Sequence, residues 1–302
     1  MSRINSEHKK WITHQYFRTY DIADRLTDIA RHPLDYLLQL EDLTLDYGVS
    51  VFAPSWQKKT MLHRFAERVA DEMFATDTEG PYVTKYVIHE PPRFEEKRFL
   101  PVDLAMQLYG ILDDPFEVPV PDGEIVPAPE VGPNVSKWKD SGKVANACYE
   151  YFQYLKLTQP YEDLLSCIGD EVFHVVFQNR EVLAGLNDYI AKYVEEVDPA
   201  MLDDQPDIAC LFASEGKLKR VAIPKWVKRA VFFREYGRCA QCGMDLTNLL
   251  DALPQEQFDH IIPLARGGLN DITNIQMLCQ KCNNAKSDKA IAPSRRYRRF
   301  FS

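Results

Sequence analysis

Apolar residues recur at helical spacing through much of the first 200 residues. Within residues 55–76 they return every three or four positions, which predicts an amphipathic helix. Similar spacing predicts helices near 102–112, 143–157 and 170–197, and the last carries enough valine and leucine to form one buried stripe. Residues 82–88 are β-branched and aromatic, which predicts a short strand. This part of the chain is therefore predicted to be mainly α-helical.

Two breaks interrupt the helical pattern. Residues 115–133 contain six prolines, which fix φ and remove backbone donors, so we expect an extended loop or linker there. Residues 198–207 hold two prolines and four aspartates. A short helix is then predicted over 224–236. We divide the chain into a mainly α-helical region, 1–215, which could be one domain or two subdomains, and a smaller C-terminal domain, 216–302.

The composition is that of an ordinary soluble globular protein. The chain has 302 residues, enough for two domains, with 45% hydrophobic and 27% charged residues. It contains no apolar run of membrane-spanning length, and its first residues do not resemble a signal peptide. The sequence thus predicts a cytoplasmic protein without a membrane partner, whose seven cysteines are thiols or metal ligands before they are disulfides.

Charge is divided unevenly along the chain. Residues 216–302 contain 16 Lys/Arg against 7 Asp/Glu, a net charge of +9, whereas residues 1–215 carry -18. A basic region can bind nucleic acid because each neutralised phosphate releases counterions. It can equally be a solvated surface. Charge alone therefore places any nucleic-acid binding in the C-terminal region.

Two Cys-x-x-Cys pairs frame this basic region. Cys239 and Cys242 form the first pair, and Cys279 and Cys282 form the second. A two-residue gap lets both sulfurs of a pair reach one ion, and four thiolates suit tetrahedral Zn²⁺ in a closed, structural site. Redox chemistry is the competing interpretation, but it expects a single pair beside a βαβ unit. The spacing favours structural zinc.

The residues between and after these pairs carry a family signature. Asp259-His260, Asn274 and the run from Cys282 through Asn283 to Lys286 resemble the signature of the HNH endonucleases, in the four-cysteine form of their ββα-metal fold. The resemblance covers the last 80 or so residues and says nothing about residues 1–215. It implies a small α+β domain at the C-terminus. Together with the helical spacing of the first part, the predicted fold class is mainly α with a small α+β C-terminal domain.

The resemblance also implies roles for particular residues. His260 would be the general base, and its ordinary pKa of about 6.5 suits a neutral base. Asp259 and Asn283 would hold the catalytic ion, and an oxygen-only pair suits Mg²⁺ or Mn²⁺. Asn274 would fix the loop that orients the base. Neighbouring residues of a regular strand face opposite ways, so Asp259 and His260 can converge only if the strand is irregular or ends there.

Several other side chains have both a functional and a structural interpretation. Arg266 and Lys286 are candidate phosphate contacts or solvated surface. The tail mixes charge with aromatic residues, which suits phosphate contact and base stacking but is equally typical of a disordered or packing terminus. Its candidate contacts are Arg295, Arg296, Arg298 and Arg299. Trp56 is expected to be a core or interface anchor. Three isolated cysteines, Cys148, Cys167 and Cys210, are expected to be buried thiols.

The function implied is cleavage or nicking of DNA, with RNA left open. The acidic region would then be a sensor, an oligomerisation surface or a dock for a partner protein. Proteins that join an HNH domain to an unrelated region resemble components of bacterial or phage restriction, anti-phage defence or mobile elements. Two alternatives remain. The domain could be an inactive nucleic-acid-binding regulator, or it could belong to a larger complex and be masked by the acidic region. Masking predicts that a fragment starting near Gly216 cuts faster than the full chain.

Overall fold

A computed structural model describes most of the chain. The described residues are 18–36, 43, 48–89, 93–119, 125–127, 136–138, 142–249, 252–254, 257–287, 289 and 294. The four tail arginines and half of the proline-rich loop lie outside them. Of that loop, residues 115–119 and 125–127 are described, and the latter form a strand.

Helices dominate the described residues. They are α1 Thr19–Arg31, α2 Met61–Asp77, α3 Pro101–Leu108, α4 Gly142–Leu155, α5 Gln159–Val176, α6 Arg180–Glu195, α7 Pro206–Ala209, α8 Lys225–Arg234 and α9 Gln280–Lys286. Short 3₁₀ turns at Leu264–Arg266 and Ile272–Asn274 lie inside the C-terminal region.

The strands form two-stranded antiparallel pairs. The pairs are β1 Val83–His89 with β2 Arg93–Phe99, β3 Ile125–Pro127 with β4 Ser136–Trp138, β5 Phe212–Ser214 with β6 Lys217–Leu218, and β7 Phe258–His260 with β8 Ile275–Met277. At the C-terminus, β7, β8 and α9 follow one another as a ββα unit. The predicted fold class, mainly α with a small α+β C-terminal domain, is confirmed.

Two predicted helices differ from the observed ones. The helix predicted over 55–76 begins only at Met61, because Trp56 has φ of 58°, in the left-handed region that a right-handed helix cannot contain. The helix predicted over 170–197 is two helices. The first ends at Val176, and Asn179 caps α6, its side chain accepting a hydrogen bond from the backbone N–H of Val182.

The expectation for the isolated cysteines was only partly right. Cys148 is buried, Cys167 is partly buried and Cys210 is exposed. Cys210 follows α7, just after the acidic break of residues 198–207, and its thiol donates to the backbone oxygen of Asp207 at 3.1 Å. A segment of prolines and aspartates has too few apolar neighbours to bury that sulfur.

The chain divides into two compact units. Unit 1 comprises Met1–Thr19 and Glu67–Asp170, and unit 2 comprises Tyr20–Ala66 and Glu171–Ser302. The boundary predicted between residues 215 and 216 from composition lies within unit 2 and stays a prediction. Two segments of the predicted N-terminal region, residues 20–66 and 171–215, therefore share a unit with the cysteine-rich region.

In unit 1, a small core forms where β1 and β2 meet α3. Phe99 and Leu104 are buried there, with Val83 and Leu108 packed against them. Asp103 is buried in the first turn of α3, where its Oδ1 accepts a hydrogen bond of 2.6 Å from the hydroxyl of Tyr151. Burial raises the pKa of this carboxyl to about 7, although its hydrogen bonds oppose the shift.

In unit 2, α6 supports the C-terminal hairpin. Ala191 of α6 packs against Ile261 and Ile262, which follow β7 directly. Gly267 has φ of 67°, and a Cβ there would lie 2.0 Å from the backbone oxygen of Ala191. Both features require glycine at this position. Only glycine adopts this φ without an energetic cost, and any Cβ would clash with the backbone oxygen of Ala191.

Buried charge ties the same elements together. Arg180 donates to the backbone oxygen of Ala240 at 2.9 Å and lies 3.3 Å from Glu235. Arg234 donates to Glu235 at 2.7 Å and to the backbone oxygen of Ile275. A buried carboxylate shared by two arginines is tolerated because each charge is compensated. The group connects α6, α8, the first cysteine pair and β8.

Among the residues that the structure describes, no helix combines the length and apolar composition that a membrane span requires.

Candidate metal centre and histidine site

The two cysteine pairs converge as the spacing predicts. The sulfurs of Cys239, Cys242, Cys279 and Cys282 all lie within 4.8 Å of one another, and those of Cys242 and Cys279 are 3.7 Å apart. Sulfurs bound at about 2.3 Å to one tetrahedral ion are separated by about 3.8 Å. The four cysteines therefore fit a zinc ion without rearrangement.

Backbone hydrogen bonds hold the first cysteine pair in place and stabilise the thiolate of Cys239. The N–H of Cys239 donates to the backbone oxygen of Met244 at 2.9 Å, and the N–H of Gly243 returns to the oxygen of Cys239 at 2.9 Å. Burial opposes ionisation of the Cys239 thiol, but N–H groups of Cys242, Cys279 and Gln241 bond its sulfur and lower its pKa to about 7. Donors aimed at a sulfur stabilise the thiolate that binds metal.

The ββα unit then places the remaining predicted residues beside this cluster. In the β7–β8 pair, Asp259 lies opposite Gln276 and His260 lies opposite Ile275. The strand ends at His260, and the next N–H, of Ile261, donates to the backbone oxygen of Asn274 at 2.6 Å. The end of the strand at His260 is one of the two conditions under which Asp259 and His260 could converge.

Asn274 joins the two ends of the loop that follows β7. Its Oδ1 accepts from the N–H of Ile262 at 2.8 Å, and its Nδ2 donates to the backbone oxygens of Ile262 at 3.0 Å and Leu269 at 2.9 Å. The side chain is fully buried. Its amide therefore links residues 262 and 269 through three hydrogen bonds.

His260, the last residue of β7, is enclosed. Its side chain is buried, its Nε2 lies 3.3 Å from Oδ1 of Asn270, and its Nδ1 has no hydrogen-bond partner among the described residues. Burial lowers its pKa to about 4, helped by the charge of Arg220 and opposed by that of Asp259. The imidazole is therefore neutral at physiological pH.

Asp259 faces a cation from its own chain. Its Oδ2 lies 2.8 Å from Nζ of Lys286, whose side chain is 1% exposed, whereas the Asp259 side chain is 16% exposed. No hydrogen bond to either atom has acceptable geometry among the described residues, so this is an ion pair and not a hydrogen bond. The ammonium of Lys286 is directed at Asp259, an arrangement that does not support the phosphate contact considered from the sequence.

Asn283 lies on the same helix as Lys286. The two are three residues apart on α9, and such residues share one side of a helix. The side that carries Lys286 to Asp259 therefore also carries Asn283. Helix α9 begins just after Cys279, so the cysteine cluster sets the position of this side chain.

Two basic residues of the C-terminal region are exposed, and the charge of one of them acts on the histidine. Arg266, at the end of a 3₁₀ turn, is exposed. Arg220 is exposed as well, forms no hydrogen bond or ion pair with the described residues, and its charge acts on His260. The predicted contacts of the tail, Arg295, Arg296, Arg298 and Arg299, lie outside the described residues.

Sequence reasoning missed three residues at this site. Asn270 contacts the histidine ring, and Trp56 donates its backbone N–H to the oxygen of Asn270 at 2.8 Å. The ring of Trp56 lies 6.4 Å from that of His260 between centroids, tilted by 35°. Arg220 stood in the basic segment before α8, but nothing in the spacing distinguished it. Of the three, only Asn270 lay between two residues of the signature, His260 and Asn274, where it could have been considered.

Comparison with known proteins agrees with this geometry over part of the chain. Residues 239–289 match the family model described as HNH endonuclease, which confirms the resemblance drawn from the residues. No curated protein and no solved structure matches the chain. Residues 239–289 are thus similar to a nuclease family and carry a cysteine cluster able to bind zinc.

Proposed function

We propose that this protein is an endonuclease that hydrolyses phosphodiester bonds in DNA, with His260 as the general base. The observation that carries the proposal is a neutral, buried imidazole, with a pKa lowered to about 4, inside the residues that match the HNH family. A neutral ring can accept a proton at physiological pH, whereas a charged one cannot.

His260 would take the proton of the attacking water. The oxygen of that water forms the new bond to phosphorus, the bond from phosphorus to the leaving oxygen breaks, and the proton passes to the imidazole. Burial of the ring keeps its position fixed, which helps because a base acts only within hydrogen-bond reach of the proton it removes. Asn274 would contribute by holding the loop at residues 262–269 in place.

The donor types at Asp259 and Asn283 suit a second divalent ion. Oδ2 of Asp259 is paired with Nζ of Lys286 at 2.8 Å, so such an ion would bind the other carboxylate oxygen or displace this ammonium. Asn283 lies on the side of α9 that faces this carboxylate. A carboxylate and an amide oxygen suit Mg²⁺ or Mn²⁺. When bound, such an ion supplies Lewis-acid stabilisation of the charge on the phosphate and the leaving oxygen.

Nucleic acid would be held through phosphate contacts. The net charge of +9 on residues 216–302 supports a polyanionic substrate, and Arg220 and Arg266 are exposed, with the charge of Arg220 acting on the proposed base. Such contacts fix position without reading sequence. DNA is the substrate we propose, and cleavage of RNA is the outcome that would replace it.

The first 215 residues would serve as a sensor, an oligomerisation surface or a dock for a protein partner. Association with the HNH family extends the proposal to a cytoplasmic role in restriction or anti-phage defence. Co-purification of the tagged chain from its native host tests this: a helicase, ATPase or methyltransferase partner would support it, and the chain recovered alone would count against it.

Nicking of supercoiled plasmid by the full chain tests the nuclease. With MgCl₂ or MnCl₂ we expect relaxation that EDTA stops, and a loss of at least about 100-fold in His260→Ala, since general bases contribute about 10²–10⁴-fold. His174→Ala is the matched control, because that histidine is exposed and lies on α5. DNA binding without any nicking would instead support an inactive regulator. The Asp259–Lys286 ion pair favours that alternative, because the ammonium opposes binding of a metal ion by Asp259.

A further inference from the structure

The amide of Asn270 has only one orientation that its neighbours allow. Its Nδ2 lies 2.8 Å from the backbone oxygen of Lys219, and its Oδ1 lies 3.3 Å from Nε2 of His260. A carbonyl oxygen can only accept a hydrogen bond, so it requires the amide nitrogen to face it. Rotating the amide would place two oxygens against each other. The amide oxygen therefore faces the histidine.

This orientation decides which ring nitrogen of His260 carries the proton. An amide oxygen only accepts, so the nitrogen that faces it must be the donor, Nε2–H. In a neutral imidazole the other nitrogen, Nδ1, then has a free lone pair. That Nδ1 is buried and has no hydrogen-bond partner among the described residues, so no described group uses its lone pair.

We propose that Asn270 is the positioning residue of the proposed nuclease: it holds His260 as the Nε2–H tautomer and thereby keeps Nδ1 as the base. The inference rests on the proposed function for its catalytic consequence. The tautomer assignment is independent of the proposed function, because it follows from the hydrogen bonds of Asn270 alone.

Asn270 is itself held by two segments that the family match does not include. Lys219 follows β6 and accepts from the Asn270 side chain, while the N–H of Trp56 donates to the Asn270 backbone oxygen at 2.8 Å. The family match begins only at residue 239. Part of unit 2 outside the matched region thus completes the histidine site, which gives residues near Trp56 a role in the proposed active site.

The tautomer is measurable by ¹⁵N NMR of the full chain labelled at histidine, with His260 assigned by its loss in His260→Ala. At neutral pH we expect a pyrrole-type Nε2 with a slowly exchanging proton and a pyridine-type Nδ1. In Asn270→Ala the Nε2 proton should exchange rapidly. Asn270→Asp retains an acceptor for Nε2–H and should restore slow exchange, although it loses the bond to Lys219. Asn248→Ala, an exposed asparagine in the same region, is the matched control.

Turnover is the second measurement. We expect Asn270→Ala to lower kcat about 10- to 100-fold with little change in KM, as found when the partner that orients a histidine is removed. A protonated Nδ1 in the unaltered protein would overturn the proposal, and so would slow exchange that persists in a folded Asn270→Ala chain. The expected tautomer in a chain that never cuts DNA would leave the tautomer assignment intact and refute both the nuclease and the catalytic role of Asn270.

Discussion

The backbone N–H of Met61 donates to Oδ2 of Asp271 at 3.0 Å, across a sequence separation of 210 residues. The other oxygen, Oδ1, accepts from the N–H and hydroxyl of Thr273 at 2.8 and 2.7 Å. Asp271 follows Asn270, the residue that faces the histidine. One carboxylate thus joins the start of α2 to the loop that shapes the histidine site.

Replacing that carboxylate should destabilise unit 2. Asp271→Ala leaves the N–H of Met61 and that of Thr273 buried without partners, at about 1–3 kcal/mol for each unsatisfied group. We expect a loss of about 2–4 kcal/mol in the free energy of unfolding, measured by urea denaturation. Asp245→Ala is the matched control, because Asp245 makes the same two bonds to Thr247 on an exposed surface. Equal losses in both variants would show that the long-range bond contributes nothing.

The same contacts bear on the masking hypothesis. A fragment starting at Gly216 lacks Trp56 and Met61, and also Asn187, whose amide donates to the hydroxyl of Thr273 at 3.2 Å. We therefore expect the fragment to nick plasmid more slowly than the full chain, when both rates are divided by the concentration of zinc-bound protein. This is the opposite of what masking predicts. A folded fragment that cuts faster would restore the masking hypothesis.

Removal of the cysteine cluster should unfold the ββα unit. Cys279→Ser replaces one of four ligands, and a structural zinc site contributes directly to folding. We expect zinc content, measured by elemental analysis, to fall from one ion per chain and the Tm to drop by at least about 5 °C. Cys210→Ser, at an exposed thiol outside the cluster, should change neither. A full zinc content in Cys279→Ser would contradict the assignment.

Asp103 should make the protein less stable as pH rises from about 4 to about 7. Its pKa is raised from 3.8 to about 7, so the folded state binds this proton more tightly than the unfolded state throughout that window. Asp103→Asn cannot ionise, and we expect it to become more stable than the unaltered chain above pH 7, by at most about 4 kcal/mol. Urea midpoints at pH 4.5 and 8 provide the measurement, with the exposed Asp113→Asn as control. A variant that gains nothing at pH 8 would refute the shift.

Arg220 should contribute a phosphate contact. Arg220→Ala is expected to weaken DNA binding several-fold and to reduce the slope of log K against log salt by about one. Arg229→Ala removes the same charge from an exposed position on α8 and serves as the control. Fluorescence anisotropy with a labelled duplex, repeated across salt concentrations, measures both. Identical losses in the two variants would show that only net charge matters.

The sequence by itself determined the parts of this protein that depend on local spacing. A gap of two residues brings paired sulfurs to one ion, and the cluster forms as predicted from Cys239 to Cys282. The helical spacing also predicted the fold class, although it placed the start of α2 too early. Its error came from a single backbone conformation, at Trp56, that apolar periodicity does not encode.

Tertiary structure alone decided how the histidine is held. Trp56 and Met61 reach the loop through backbone N–H groups, which nearly every residue type possesses, so no side-chain pattern marks them. The turn of Lys286 toward Asp259 likewise depends on where α9 packs against β7. The spacing of metal ligands can be read directly from the sequence. Contacts between distant backbone groups form only when the chain has folded, so the sequence pattern does not show them.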